Sequence, residues 1–165
     1  MNKLYPLVLS IGIGTAPFLA DAPKREYAPV TVVQELQEPT STVDSLDILI
    51  EALIFVESRG KENAIGDKHL GEPSVGILQI RPVMVAEVNR ILRKQKIKKR
   101  FKLKDRFSRE KSIEMFMIWK GYYHKDSNFE AIARSWNGGP RWKKIKRTRK
   151  YWAKVEKQLN EYKSI

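Results

Sequence analysis

The stretch Ile48-Leu49-Ile50-Glu51-Ala52-Leu53-Ile54-Phe55-Val56-Glu57-Ser58-Arg59-Gly60 decides how this chain is read. From Ile48 to Val56 the only charge is Glu51, so a helix built from these residues is buried nearly all round. On that helix Ile50, Leu53 and Glu57 share a face, and the Glu57 carboxylate continues an apolar stripe. Desolvation disfavours the ionised form there. The negative end of the helix dipole adds to the effect, so Glu57 is expected to hold its proton more tightly than an ordinary glutamate. A carboxylic acid still protonated near neutral pH can serve as a general acid. A plainer arrangement is also open, in which Glu57 reaches solvent where the helix frays before Gly60, a C-terminal glycine cap.

Three further segments surround this helix in sequence: Asn63-Ala64-Ile65-Gly66-Asp67, Ser74-Val75-Gly76-Ile77-Leu78-Gln79-Ile80-Arg81-Pro82, and Ala133-Arg134-Ser135-Trp136-Asn137-Gly138-Gly139-Pro140. The order resembles the lytic transglycosylase (SLT-type) domain of the lysozyme-like superfamily, related to goose-type lysozymes. In that family a Glu-Ser pair closes the catalytic helix, a Gly-Leu-Met-Gln-like segment crosses the cleft floor, and an Ala-Tyr-Asn-Gly-Gly-like turn completes it. The resemblance covers residues 44 to 142 or so, and three motifs in order are more specific than any one alone. The chain departs from the family pattern at Ile77-Leu78, where Leu-Met is common, and at Trp136, where Tyr is common.

The resemblance implies an α+β, mainly α, lysozyme-like fold with a small β element lining the cleft. It also implies a peptidoglycan glycosidase acting on the bond between N-acetylmuramic acid and N-acetylglucosamine. Glu57 would be the catalytic acid. Gln79 and the backbone of Gly76 and Ile77 would bind sugar, Asn137 would orient it, and Trp136 would stack on it or pack in the core. Ser58 would steady the catalytic turn, contact the glutamate, or be a plain helix-end serine. Neither a metal nor a cofactor is expected. No acidic residue lies between Val75 and Pro82, which favours single-carboxylate transglycosylase chemistry over the two carboxylates of most glycosidases. Asp67 and Glu72 are near enough in sequence to supply a second one, which would make a muramidase.

Composition narrows the remaining classes. The 165 residues are 42% hydrophobic, enough for one domain with a core, and the net charge of +13 with a pI of about 9.9 calls for a polyanionic partner. Peptidoglycan strands and anionic wall polymers fit that description. A nucleic-acid-binding domain needs neither a buried glutamate nor an export segment. A non-catalytic basic wall-binding or virion module would keep the fold and lose the acid, and Glu57 is present. Cysteine is absent and histidine limited to His69 and His124, which removes thiolate chemistry and a zinc site built mainly of those residues. His69 reads as a surface loop residue.

Residues 1 to 22 read as a signal or weak anchor: Lys3 precedes an apolar run interrupted by Gly12, Gly14 and Pro17, and Ala20-Asp21-Ala22 has the small-x-small pattern of a cleavage site. Pro23, Pro29 and Pro39 mark residues 23 to 43 as a tether. The folded domain is then 44 to 165, exported to the periplasm or cell envelope, or associated with a phage virion or with lysis.

Within that domain Thr42 or Asp44 is expected to cap the first helix. Val75 to Ile80 is read as extended, Pro82 starts a helix to Leu92, and a third begins near Ser108 and carries Ile113, Phe116, Met117 and Tyr123. A Ser127-Glu130 capping box opens a short helix, and Trp152, Val155, Leu159 and Tyr162 form the stripe of the last. Residues 93 to 106 hold nine Lys or Arg and 141 to 150 hold seven, half of the chain's 32. These runs are either solvated faces or a means of electrostatic retention on an anionic polymer.

Overall fold

Residues 45–164 are described by a computed structural model; the expected export segment, tether and Thr42 or Asp44 cap lie outside that range. The described chain runs through α1 (Ser45–Ser58), a hairpin of β1 (Ile65–Gly66) and β2 (Ser74–Val75), α2 (Pro82–Lys94), α3 (Arg109–Tyr123), α4 (Phe129–Gly138) and α5 (Arg147–Lys163). Short 3-10 turns at Leu103–Phe107 and Gly139–Lys144 lead into α3 and α5. The architecture is mainly helical with one small antiparallel sheet. Among the described residues no helix is long and apolar enough to cross a membrane.

The apolar run does form α1, and it buries Leu49, Ile50, Ala52, Leu53 and Ile54. Its one interior charge, Glu51, escapes by pairing with Arg109 at the start of α3. α1 packs on α5, α4 packs on α5, and α2 packs on α3. Pro82 stands at the first helical position of α2, where its missing N–H costs nothing. Ser108 caps α3 by accepting the Lys111 N–H.

α3 is capped by Ser108 and carries Ile113, Phe116, Met117 and Tyr123 as expected; its buried residues are Ser112, Met115, Phe116 and Trp119, and Met117 and Tyr123 are exposed. Phe116 shares its stripe with residues four before and three after it, and Met117 lies about 100° round the axis. The cap of α4 is Asn128, whose side chain accepts the Ala131 N–H, so the Ser127-Glu130 box does not form. Glu130 instead pairs with Arg134 at 2.6 Å. On α5 the buried stripe is Thr148, Tyr151, Val155, Gln158 and Leu159, with Trp152 only partly covered.

The hairpin is tighter than an extended segment. Val75 and Ile80 exchange backbone hydrogen bonds of 3.2 and 2.9 Å around the four-residue turn 76–79. Gly76 takes φ +78, and a Cβ there would sit 1.9 Å from the Arg106 carbonyl oxygen. Arg106, though part of a basic run, is buried. Its guanidinium donates to the carbonyls of Leu103, Pro73 and Ile80, pegging the hairpin to the turn before α3.

Candidate active site

Glu57 occupies the last turn of α1, which holds no basic residue. The Tyr151 hydroxyl, presented by the buried stripe of α5, donates to Glu57 Oε1 at 2.7 Å. Oε2 has no protein partner among the described residues, so a proton on the carboxyl belongs there. Burial raises the Glu57 pKa from an ordinary 4.5 to about 7; the Tyr151 hydrogen bond opposes this and the nearby Asp67 charge adds to it. Tyr151 is itself pushed well up, first by burial and then by the Glu57 charge, so it remains a neutral donor.

A cavity of about 930 Å³ lies against this carboxyl. Gly66, Asp67 and Gln79 of the hairpin line it, as do Met84 at the start of α2, Trp119 and His124 at the end of α3, and Trp136 and Asn137 in the last turn of α4. It has the size and mixed lining of a ligand site.

The end of α4 is held by its glycines. A Cβ on Gly138 would meet Thr148 Cγ2 at 2.5 Å, so only glycine lets this helix end approach α5, and Gly139 takes φ +65 to leave the helix. Thr148 in turn donates to the Ile145 carbonyl at 2.8 Å and accepts from Arg134 Nε at 3.1 Å. Asn137 is thereby fixed beside the cavity with its amide free of side-chain hydrogen bonds among the described residues. Trp136 meets Phe116 and Trp119 edge to face, with ring centroids 5.1 and 5.0 Å away. It both packs in the core and lines the cavity.

Of the residues singled out in the sequence, Glu57, Gln79, Trp136 and Asn137 meet at this cavity. Gly76 and Ile77 do not line it: the missing side chain of Gly76 accommodates Arg106, and Ile77 is buried. Ser58 does not line it either: its hydroxyl donates to the Ile77 carbonyl at 2.9 Å and joins α1 to the hairpin turn. Gln79 lines the cavity, but its amide is engaged within the hairpin, donating to the Gly76 carbonyl at 2.9 Å and the Ala64 carbonyl at 3.3 Å and accepting from Ser74 at 3.0 Å. It shapes the floor more than it offers a free group.

Tyr151, one of the aromatics interleaved with the basic runs, is not marked by the sequence as a partner of Glu57. It stands four residues before Val155 and eight before Leu159, while Trp152 stands three and seven before them, so helical spacing alone admits either aromatic to the stripe. His124 is also at the cavity, its Nε2 2.9 Å from Ser135 Oγ and its Nδ1 3.1 Å from Ser127 Oγ. Burial lowers its pKa, so it ties α3 to α4 as a neutral ring. His69 is exposed. Among the described residues no group of three or more His, Asp or Glu is placed to hold a metal ion. The chain matches no family model, no curated protein and no solved structure.

Proposed function

We propose that residues 44–165 are a peptidoglycan glycosidase of the lytic transglycosylase type, built on a lysozyme-like fold. The observation that carries this reading is Glu57: a desolvated carboxyl with a pKa of about 7, held by Tyr151 at the edge of a cavity large enough for sugar rings. In the proposed reaction Glu57 gives its proton to the glycosidic oxygen as the bond to the muramic anomeric carbon breaks. The carboxylate then accepts the proton of the C6 hydroxyl while that oxygen bonds to the anomeric carbon, which leaves a 1,6-anhydro end and returns the acid to its starting form. Tyr151 holds Oε1 throughout, so both proton transfers use Oε2. The partly exposed Trp136, backed by buried Trp119, would offer a ring face for a sugar, and the free amide of Asn137 would offer a donor and an acceptor in the same cavity.

One observation favours hydrolysis as a second reading. Asp67 lines the same cavity and raises the Glu57 pKa through its charge. A carboxylate there could take a proton from water attacking the anomeric carbon, as in an inverting muramidase. Mass spectrometry of purified wall after digestion decides between them. Anhydro ends, one water lighter than reducing ends, are the expected product. Reducing ends that vanish in Asp67→Asn would establish the muramidase, and intact glycan would overturn both readings.

The resulting placement is outside the cytoplasmic membrane, where wall is accessible, either in a bacterial envelope or in a phage virion or lysis system. The basic runs would then hold the enzyme on anionic wall polymers.

A further inference from the structure

A second cavity, of about 660 Å³, adjoins the first, and Asp67, Arg81, Asn137 and Arg147 line both. His69, Lys150, Tyr151 and Lys154 complete its charged and polar wall. Four cations therefore face this space against one carboxylate, Asp67. None of the four has an ion pair or side-chain hydrogen bond among the described residues. Elsewhere on this basic surface Arg90, Lys99, Arg109, Lys111 and Arg134 each pair with an acid.

Arg147, Lys150, Tyr151 and Lys154 are spaced three, four and seven residues along α5, which stacks them on one face of the helix. Like charges at such spacings destabilise a helix unless an anion offsets them. The tyrosine in this stripe is the one whose hydroxyl holds Glu57, so the cationic face begins one side chain away from the acid.

We propose that this second cavity is a subsite for a carboxylate-bearing substituent on the sugar next to the scissile bond, an inference that rests on the glycosidase reading. In peptidoglycan that substituent is the lactyl-linked peptide stem. Arg81 and Arg147 supply planar forks that match a carboxylate, Lys150 and Lys154 supply point charges deeper along the stem, and Asn137 stands where the two cavities meet. The same cations could hold a phosphate of a wall polymer, but a phosphate ester on the muramic C6 oxygen would block the oxygen that the proposed reaction uses. The stem leaves that oxygen free.

The test uses the full chain carrying Glu57→Gln and measures, by titration calorimetry, binding of a soluble disaccharide-peptide and of the same fragment with its carboxylates converted to amides. Roughly tenfold weaker binding of the amide is expected, a contrast that Lys150→Gln with Lys154→Gln should abolish. Lys125→Gln with Lys163→Gln, which removes the same charge from exposed positions outside both basic runs and both cavities, should preserve it. Equal binding of acid and amide would overturn the subsite, as would inorganic phosphate binding as tightly as the carboxylated fragment. Cleavage assays on the unsubstituted chain separate the two readings. Equal kcat/KM on wall with and without stems would overturn the subsite and leave the glycosidase, whereas carboxylate-dependent binding without cleavage of any glycan would support the anion subsite and overturn the glycosidase.

Discussion

Glu57 owes its chemistry to where α1 stops. The helix is apolar where it meets the core, and at its last turn the stripe of Ile50 and Leu53 ends in a carboxyl. Because the folded pKa of about 7 exceeds the ordinary 4.5, the folded state binds that proton more tightly than the unfolded chain does. Its contribution to stability is therefore fully present below about pH 4.5 and is lost as pH rises through about 7, a loss on the order of 3 kcal/mol if the whole shift is expressed. Glu57→Gln keeps the shape and an acceptor for Tyr151 but removes the charge. The variant should cleave no glycan and melt at or above the parent's temperature at pH 8, with the difference shrinking toward pH 4. Clear destabilisation at pH 8 would mean that the ionised carboxylate is well solvated or well paired. Tyr151→Phe removes the bond that opposes the rise, so the protonated form should persist to higher pH. The alkaline limb of the pH–activity profile should move up and kcat should fall about tenfold, the worth of one hydrogen bond to a charged group. A profile that stays in place would leave Tyr151 as packing alone.

At the scale of elements, the hairpin 65–80 is where a familiar motif carries a different load from the one expected. Gly76 was read as leaving room for a ligand, yet the space it leaves is filled by the Arg106 carbonyl. Gly76→Ala should therefore destabilise by more than about 2 kcal/mol, since a positive φ and a backbone clash act together, and should lower activity in step with folded protein. Circular dichroism melts and activity per folded molecule check this; an Ala variant that melts normally but fails to bind substrate would restore the ligand-facing role. Gln79→Ala, which removes three hydrogen bonds inside the hairpin, should likewise lower the melting temperature along with activity. Helix existence was legible in sequence because apolar spacing, Pro82 and Ser108 are local signals. The helix α5 was found, while its buried face was misread by one residue, because Tyr151 and Trp152 are both large aromatics and only packing against α1 and α4 selects between them. The desolvation of Glu57 was legible from its place on an apolar stripe. Its tyrosine partner, 94 residues away in sequence, was not, since nothing local in either segment announces the other.

Across the whole molecule the net charge of +13 sits in the two basic runs, which hold sixteen Lys or Arg against Asp105 alone, but not all of those cations are free. In the first run Arg106 is buried as a peg, Lys99 pairs with Glu114, and Lys94 donates to the Tyr122 hydroxyl at 2.8 Å, which leaves fewer free cations than composition suggests. In the second, Arg147 and Lys150 face the cavities. Retention on an anionic wall would then draw on exposed residues such as Lys98 and Arg100, acting through solvent and so open to screening. Binding of the full chain to insoluble wall should weaken steeply once salt exceeds about 0.1 M, where the Debye length falls to roughly 10 Å. Replacing Lys98, Lys99 and Arg100 by Gln should weaken binding at low salt by roughly three- to tenfold and flatten the salt dependence, with little change in melting temperature because the one pair lost is on the surface. Cosedimentation across a salt series measures both effects. Binding that ignores salt and is equally tight for the triple variant would assign these charges to solubility, and the hold on the wall would then have to come from the cleft itself.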